Sequence, residues 1–168
     1  MDPAPDESAQ AEAFWQRAKE HVRLNPAPGY FGPSTLESLR PAAWSFGATP
    51  EHAEELLALV LEGTKTATSS ALWDFDAEDE PLPEPGLLSI ILDGTGRPRA
   101  LLVTTEVRTV PFAEVDAEHA RLEGEGDRSL AYWREAHERF FTEHAGHDRG
   151  FSPDMPVVLE RFEVLYRE

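Results

Sequence analysis

The sequence predicts an α+β domain, a small mixed β-barrel with flanking helices. Three observations carry that reading. The chain has 168 residues with 40% hydrophobic content, enough for one good core and too short for two ordinary domains. Period-two apolar stretches lie mainly in the second half. Helical stretches flank them without the strand-helix-strand rhythm of a doubly wound sheet.

Taken in order, residues 1 to about 10 are acidic and rich in alanine and proline and read as a disordered tail. Ala11 to Leu24 has helical spacing of Phe14, Trp15, Ala18 and Val22. The breakers of Asn25 to Pro33 then force a loop. Residues 1–35 are thus expected to form an acidic extension containing one helix, and 36–168 the main domain. Trp44-Ser45-Phe46-Gly47 reads as a short aromatic turn. Thr49 can cap a helix with Pro50 in its first turn, and Ala53, Leu56, Leu57, Val60 and Leu61 make its apolar stripe. Gly63 supplies the stop.

Trp73 to Pro85 reads as an acidic, proline-punctuated loop. Leu87 to Leu92 is a buried strand, turned back by Asp93-Gly94-Thr95-Gly96, and Ala100 to Val110 is its return. Ala117 to Glu123 and Leu130 to His144 are helices, and Val157 to Tyr166 is a last strand.

Composition excludes several functions. The 32 acids outnumber the 15 lysines and arginines, for a formal charge of −17. Affinity for nucleic acid rests largely on phosphate neutralisation, so tight nonspecific binding is not expected and any contact with RNA must be local. There is no cysteine, hence no thiolate zinc site and no cysteine nucleophile. The first residues lack a signal-peptide pattern and no 18-residue apolar run occurs, so a cytoplasmic protein with no membrane association is expected.

Two constellations carry chemistry. Gly63-Thr64-Lys65-Thr66-Ala67-Thr68 places an isolated lysine among hydroxyls at a helix-to-strand junction. Residues three apart on a regular strand face opposite ways, so Lys65 and Thr68 share a site only if the strand starts irregularly, as Gly63 permits. Lys65 would then hold an oxyanion or phosphate, its pKa lowered by burial. The plainer reading is a C-terminal lysine favouring the helix dipole before an edge strand. The second constellation is Glu123 to Trp133. Glu123 at a helix C-terminus meets the negative end of the dipole, which would raise its pKa toward that of a general base. Asp127, Arg128 and Ser129 open the next helix, where free amides attract phosphate. The plainer reading is a capped loop with a solvated glutamate. His137 is read as a core histidine. His144-Ala145-Gly146-His147-Asp148 lacks a clear third metal ligand, so no metal is assigned.

Trp44-Ser45-Phe46-Gly47, the Gly63-x-Lys65-x-x-Thr68 element, Thr104-Thr105-Glu106-Val107, Ala120 to Trp133 and Phe151 to Pro156 occur together in an order that resembles the ASCH domain family over roughly residues 40 to 167. The resemblance implies a PUA-like β-barrel with helices over its openings and an RNA-related role. Some members are ribonucleases, and others hydrolyse the acetyl amide of N4-acetylcytidine with a lysine, a threonine and a glutamate. On that pattern Lys65, Thr68 and Glu123 match the catalytic residues, and Ser129 matches a serine of the longer members. Trp73, Tyr132 or Trp133 is a candidate to stack a base, beside Asp127, Arg128 and Ser129 as phosphate holders. The expected partner is RNA or a modified nucleoside, with no DNA. No cofactor is identified, and a divalent metal stays open. The Trp44 to Gly47 element tilts the expectation to a ribonuclease on single-stranded RNA, with the amidohydrolase or a non-catalytic reader as alternatives.

Overall fold

The computed structural model describes residues 5–24 and 40–168. The chain runs α1 (Pro5–Leu24), β1 (Ala43–Trp44), α2 (Pro50–Leu61), β2 (Ala67–Ala71), α3 (Leu72–Glu78), β3 (Leu88–Leu92), β4 (Pro98–Pro111), a 3-10 turn (Phe112–Glu114), α4 (Ala117–Glu123), α5 (Leu130–Glu143) and β5 (Pro156–Arg167). This is the expected α+β architecture.

The strands form one five-stranded sheet in the order β1-β3-β4-β5-β2, and it is open. β1 pairs parallel with β3, and every other pairing is antiparallel. The expected barrel does not close, for a geometric reason. β3 pairs with the start of β4, from Pro98 to Val103, while β2 pairs with the start of β5, from Val157 to Arg161. Because β4 and β5 run antiparallel, those segments lie at opposite ends of the two-stranded ribbon, so the outer edges do not meet. Register shifts at Leu101/Leu102 and Thr104/Glu106 bend that ribbon.

Alternation along β4 divides the core. Leu101 and Val103 join Leu88, Ile90 and Leu165 against Phe14, Trp15, Ala18 and Val22 of α1. Ala100 and Leu102 face the other way, with Ile91 and Phe162, against Leu56, Leu57 and Val60 of α2. A third cluster joins Val157 and Leu159 of β5 to Phe112, Trp133 and Phe141 beneath α5. The apolar face read from α1 is therefore core.

Three boundaries differ from expectation. α1 begins at Pro5 rather than Ala11, and a first-turn proline with the acidic Glu7 close behind it suits a helix start. The acidic stretch after β2 is helical from Leu72 to Glu78, ending on Asp79 at φ +52, so its prolines interrupt only the segment beyond that cap. Ala43 and Trp44 pair with Ile90 and Ile91, so Trp44, expected in the aromatic turn, ends a short strand instead. The loop expected from Asn25 to Pro33 and residues 1–4 lie outside the described residues. Among the described residues no helix is long and apolar enough to cross a membrane.

Candidate functional site

Thr49 caps α2, its hydroxyl accepting from the His52 amide at 3.1 Å. At the other end Gly63, at φ +84, reverses the chain, and the amides of Thr64 and Lys65 both bond to the Leu59 carbonyl. Thr66 then donates to Leu122 at the end of α4, while its carbonyl accepts from Phe162 of β5. The segment entering β2 is therefore irregular and clamped on both sides. It turns Lys65 inward until only 1% of the side chain is exposed.

The Lys65 ammonium donates to the Ala67 carbonyl at 2.9 Å and to Glu125 Oε2 at 3.1 Å, and it lies 3.5 Å from Glu123 Oε1. The Phe46 ring centroid is 5.5 Å away, within cation-π range. The amino group thus sits between two carboxylates.

Glu123 is equally buried. Its Oε2 accepts from Ser69 Oγ at 2.6 Å, from the Trp133 indole N–H, and from His119 Nε2 at 2.9 Å. Its Oε1 faces Lys65 and, at 3.4 Å, His137 Nε2. Burial alone would push this carboxyl up, but the charges of His137 and Lys65 and the hydrogen bonds of both histidines outweigh it and hold Glu123 well below the usual carboxylate range. The expected rise in its pKa is therefore reversed, because at this helix end the partners outweigh the dipole. Glu123 is a fixed anion with its lone pairs occupied, not a free base.

His119 meets Ser69 Oγ at 2.8 Å through the same Nε2 that meets Glu123. A Ser-His-acid triad needs both ring nitrogens, one toward each partner, so these three residues form an anchor rather than an activated nucleophile. His137 is held differently. Its Nδ1–H donates to the Trp133 carbonyl at 2.9 Å, and its ring stacks on Trp133 with centroids 4.2 Å apart. Burial pulls its pKa down, yet the charge and hydrogen bond of Glu123, the charge of Glu125 and the Trp133 carbonyl raise it overall.

Lys65, Thr68, Glu123, Glu125, Tyr132 and His137 all line one cavity of about 270 Å³, together with Phe46, His52, Arg139 and Phe140. The sequence-predicted Lys65, Thr68, Glu123 and Tyr132 thus converge. Trp73, Asp127, Arg128 and Ser129 are not part of the lining. Trp73 meets His147 edge-on at 5.2 Å and carries the Arg149 guanidinium 5.0 Å from its ring. Asp127 accepts from the Ser129 amide, Ser129 caps α5 by accepting from the Tyr132 amide, and Arg128 donates twice to the Arg121 carbonyl at the end of α4. These residues build the corner that aims α4 and α5 at each other.

His119, His137 and Glu125 enlarge the constellation beyond the expected residues, and Trp133, expected to stack a base, is instead buried and donates to Glu123. The signal available in the sequence is spacing: His119 and Glu123 stand four apart on α4, and Trp133 and His137 four apart on α5, so each pair shares a helix face. Among the described residues Glu123, Glu125 and His137 bring potential metal-ligand atoms within 4.8 Å of one another. The Lys65 ammonium already lies beside both carboxylates, so the positive charge of that spot is supplied by the chain, and no metal is assigned to it.

A family model for the ASCH domain matches residues 42–166. The chain belongs to the ASCH domain family. It is similar to a protein of Enterococcus faecalis of known crystal structure, with 37% identity over 93% of this chain and 88% of that one and a TM-score of 0.79. It is also similar to the ASCH domain from Lactobacillus crispatus, with 28% identity over 95% and 96% of the two chains and a TM-score of 0.80. No curated protein matches the sequence.

Proposed function

We propose that the cavity hydrolyses the amide of an acylated nucleobase on a neutral nucleoside, with N4-acetylcytidine as the probe, within the RNA-related role the family resemblance implies. The observation that carries this reading is the charge balance around Lys65. Lys65 and a protonated His137 only match Glu123 and Glu125, and the whole chain carries −17. Among the described residues of the lining the one further fixed cation is Arg139, which Glu143 of the same lining and Glu135 at 3.7 Å offset, so the cavity has no surplus of positive charge for phosphate. A phosphate entering such a balanced cluster gains no net attraction to offset its lost hydration, whereas a neutral nucleoside has no charge to desolvate. The cavity, about 270 Å³, lies just below the roughly 300–1,000 Å³ of small-molecule sites and suits one base better than a strand.

In this reading the base lies against the aromatic rings of Phe46, Tyr132 and Phe140 at the cavity wall. A water beside the Thr68 hydroxyl attacks the carbonyl, and its proton passes to Glu125, the less enclosed carboxylate. The Lys65 ammonium stabilises the oxyanion. Glu123, its oxygens filled by fixed donors, holds Lys65 and His137 in place.

The second reading is cleavage of single-stranded RNA. It is favoured by the Trp44 to Gly47 element, which resembles that of longer family members and contributes Phe46 and Gly47 to the cavity. The test is turnover by wild type and Lys65→Ala, side by side on N4-acetylcytidine and on single-stranded RNA, with and without divalent metal. Lysine-dependent release of cytidine and acetate supports the first reading. Lysine-dependent RNA cleavage alone replaces it with the second. Silence on both, with nucleoside binding lost in Lys65→Ala, makes the protein a reader.

A further inference from the structure

We propose that His137 is the proton donor of this site, delivering its Nε2 proton to the nitrogen expelled from the amide. The proposal rests on the hydrolytic reading above and adds a group that none of Lys65, Thr68 and Glu123 replaces. An exocyclic nitrogen on an aromatic base leaves poorly as an anion, so the C–N bond breaks readily only as the nitrogen receives a proton. Glu123 has no proton to give and Lys65 serves the oxyanion.

His137 has the geometry for the task. It lines the cavity, and the Trp133 carbonyl engages Nδ1–H at 2.9 Å, which leaves Nε2 as the nitrogen on the side of the site. The ring is fixed by stacking on Trp133, and Nε2 is 3.4 Å from Glu123 Oε1. That separation is longer than the roughly 2.7–2.9 Å of a short charge-assisted hydrogen bond, so Glu123 favours the protonated ring while leaving the proton transferable to a substrate atom in the cavity. The charged neighbours are Glu123 of α4, Glu125 of the loop after it and Lys65 before β2, with His119 beyond Trp133. The two carboxylates favour the protonated ring.

Atoms and electrons balance in the step. The water oxygen bonds to the carbonyl carbon as its proton moves to Glu125, and the carbonyl electron pair shifts onto oxygen. As that pair returns, the C–N bond breaks and its electrons take the Nε2 proton of His137. The neutral imidazole recovers a proton from Glu125 through cavity water. The sum is amide plus water giving amine plus carboxylic acid.

The experiment compares wild type and His137→Gln on N4-acetylcytidine and on p-nitrophenyl acetate, whose phenolate leaves without protonation. The expected result is a kcat loss on the amide of about a hundredfold or more, with KM little changed and the ester rate within about threefold of wild type. Loss of the ester rate in Lys65→Ala ties that rate to this site, and circular dichroism with the urea midpoint reports that His137→Gln is folded. Equal losses on both substrates, or no loss on either, overturn the role of His137 while leaving the hydrolytic reading intact. A wild type inactive on the amide overturns both.

Discussion

The Lys65 ammonium and the Glu123 carboxylate lie 3.5 Å apart, each with 1% of its side chain exposed. They come from segments 58 residues apart in sequence, so the pair exists only in the folded chain. Removing Lys65 leaves Glu123 with histidines alone facing its charge and takes from Glu125 its ion pair, and breaking a buried pair typically costs about 3–5 kcal/mol. Lys65→Met is therefore expected to lower unfolding free energy by about that amount, read from urea denaturation. Lys65→Met combined with Glu123→Gln should recover part of the loss, and a double variant no more stable than Lys65→Met would show that the charges are not coupled.

Stability should depend on pH at both ends. Glu123 is held below its ordinary value, so its contribution is present above the unfolded carboxylate range and lost as pH falls through the lower folded value. His137 is raised above 6.5, so its contribution is full below 6.5 and lost as pH rises through the higher folded value. The urea midpoint of wild type should therefore decline above pH 6.5. In Glu123→Gln, which lacks the main charge acting on His137, that decline should flatten, and an unchanged slope would refute the assignment.

Gly63 and Gly124 both adopt positive φ, at +84 and +74, yet they should respond differently to alanine. A Cβ at Gly63 meets nothing within 4 Å, whereas one at Gly124 would lie 2.6 Å from the Thr64 carbonyl oxygen. Gly63→Ala should cost only the left-handed backbone strain, roughly 1–2 kcal/mol. Gly124→Ala should cost more and also displace the segment carrying Lys65, lowering turnover. Equal effects of the two on activity would count against the clamp.

Trp133→Phe keeps a ring beneath His137 and removes the indole donor to Glu123. Leaving that buried acceptor one partner short is expected to cost about 1–3 kcal/mol. Differential scanning calorimetry of the two proteins checks it.

Ser129 separates a structural role from a ligand role. It caps α5 outside the cavity, so Ser129→Ala should cost about 1 kcal/mol of stability and leave KM for the nucleoside unchanged. A large rise in KM would instead place a substrate phosphate there.

Much of this molecule is legible along the chain because local rules apply where neighbours in sequence are neighbours in space. The stripe from Ala53 to Val60, the cap at Thr49 and the stop at Gly63 define α2 through spacing and backbone chemistry alone. Alternation in Leu101 to Val103 marks β4, and the motif residues Lys65, Thr68 and Glu123 can be singled out by residue type and resemblance. The acidic stretch Trp73 to Pro85 reads as loop, yet Leu72 to Glu78 folds as helix, because the prolines come after the helix rather than inside it.

Tertiary structure alone decided the rest. The sheet stays open because β2 and β3 attach at opposite ends of the β4–β5 ribbon, a relation no single segment encodes. Ser69, His119, Trp133 and His137 gather on Glu123 from β2, α4 and α5, and their donors and charges decide which way its pKa moves. Electrostatic energy depends on distance and burial, and both are set by packing between segments remote in sequence. Residue type thus identified the groups able to do chemistry, and the fold chose which of them meet and in what charge state.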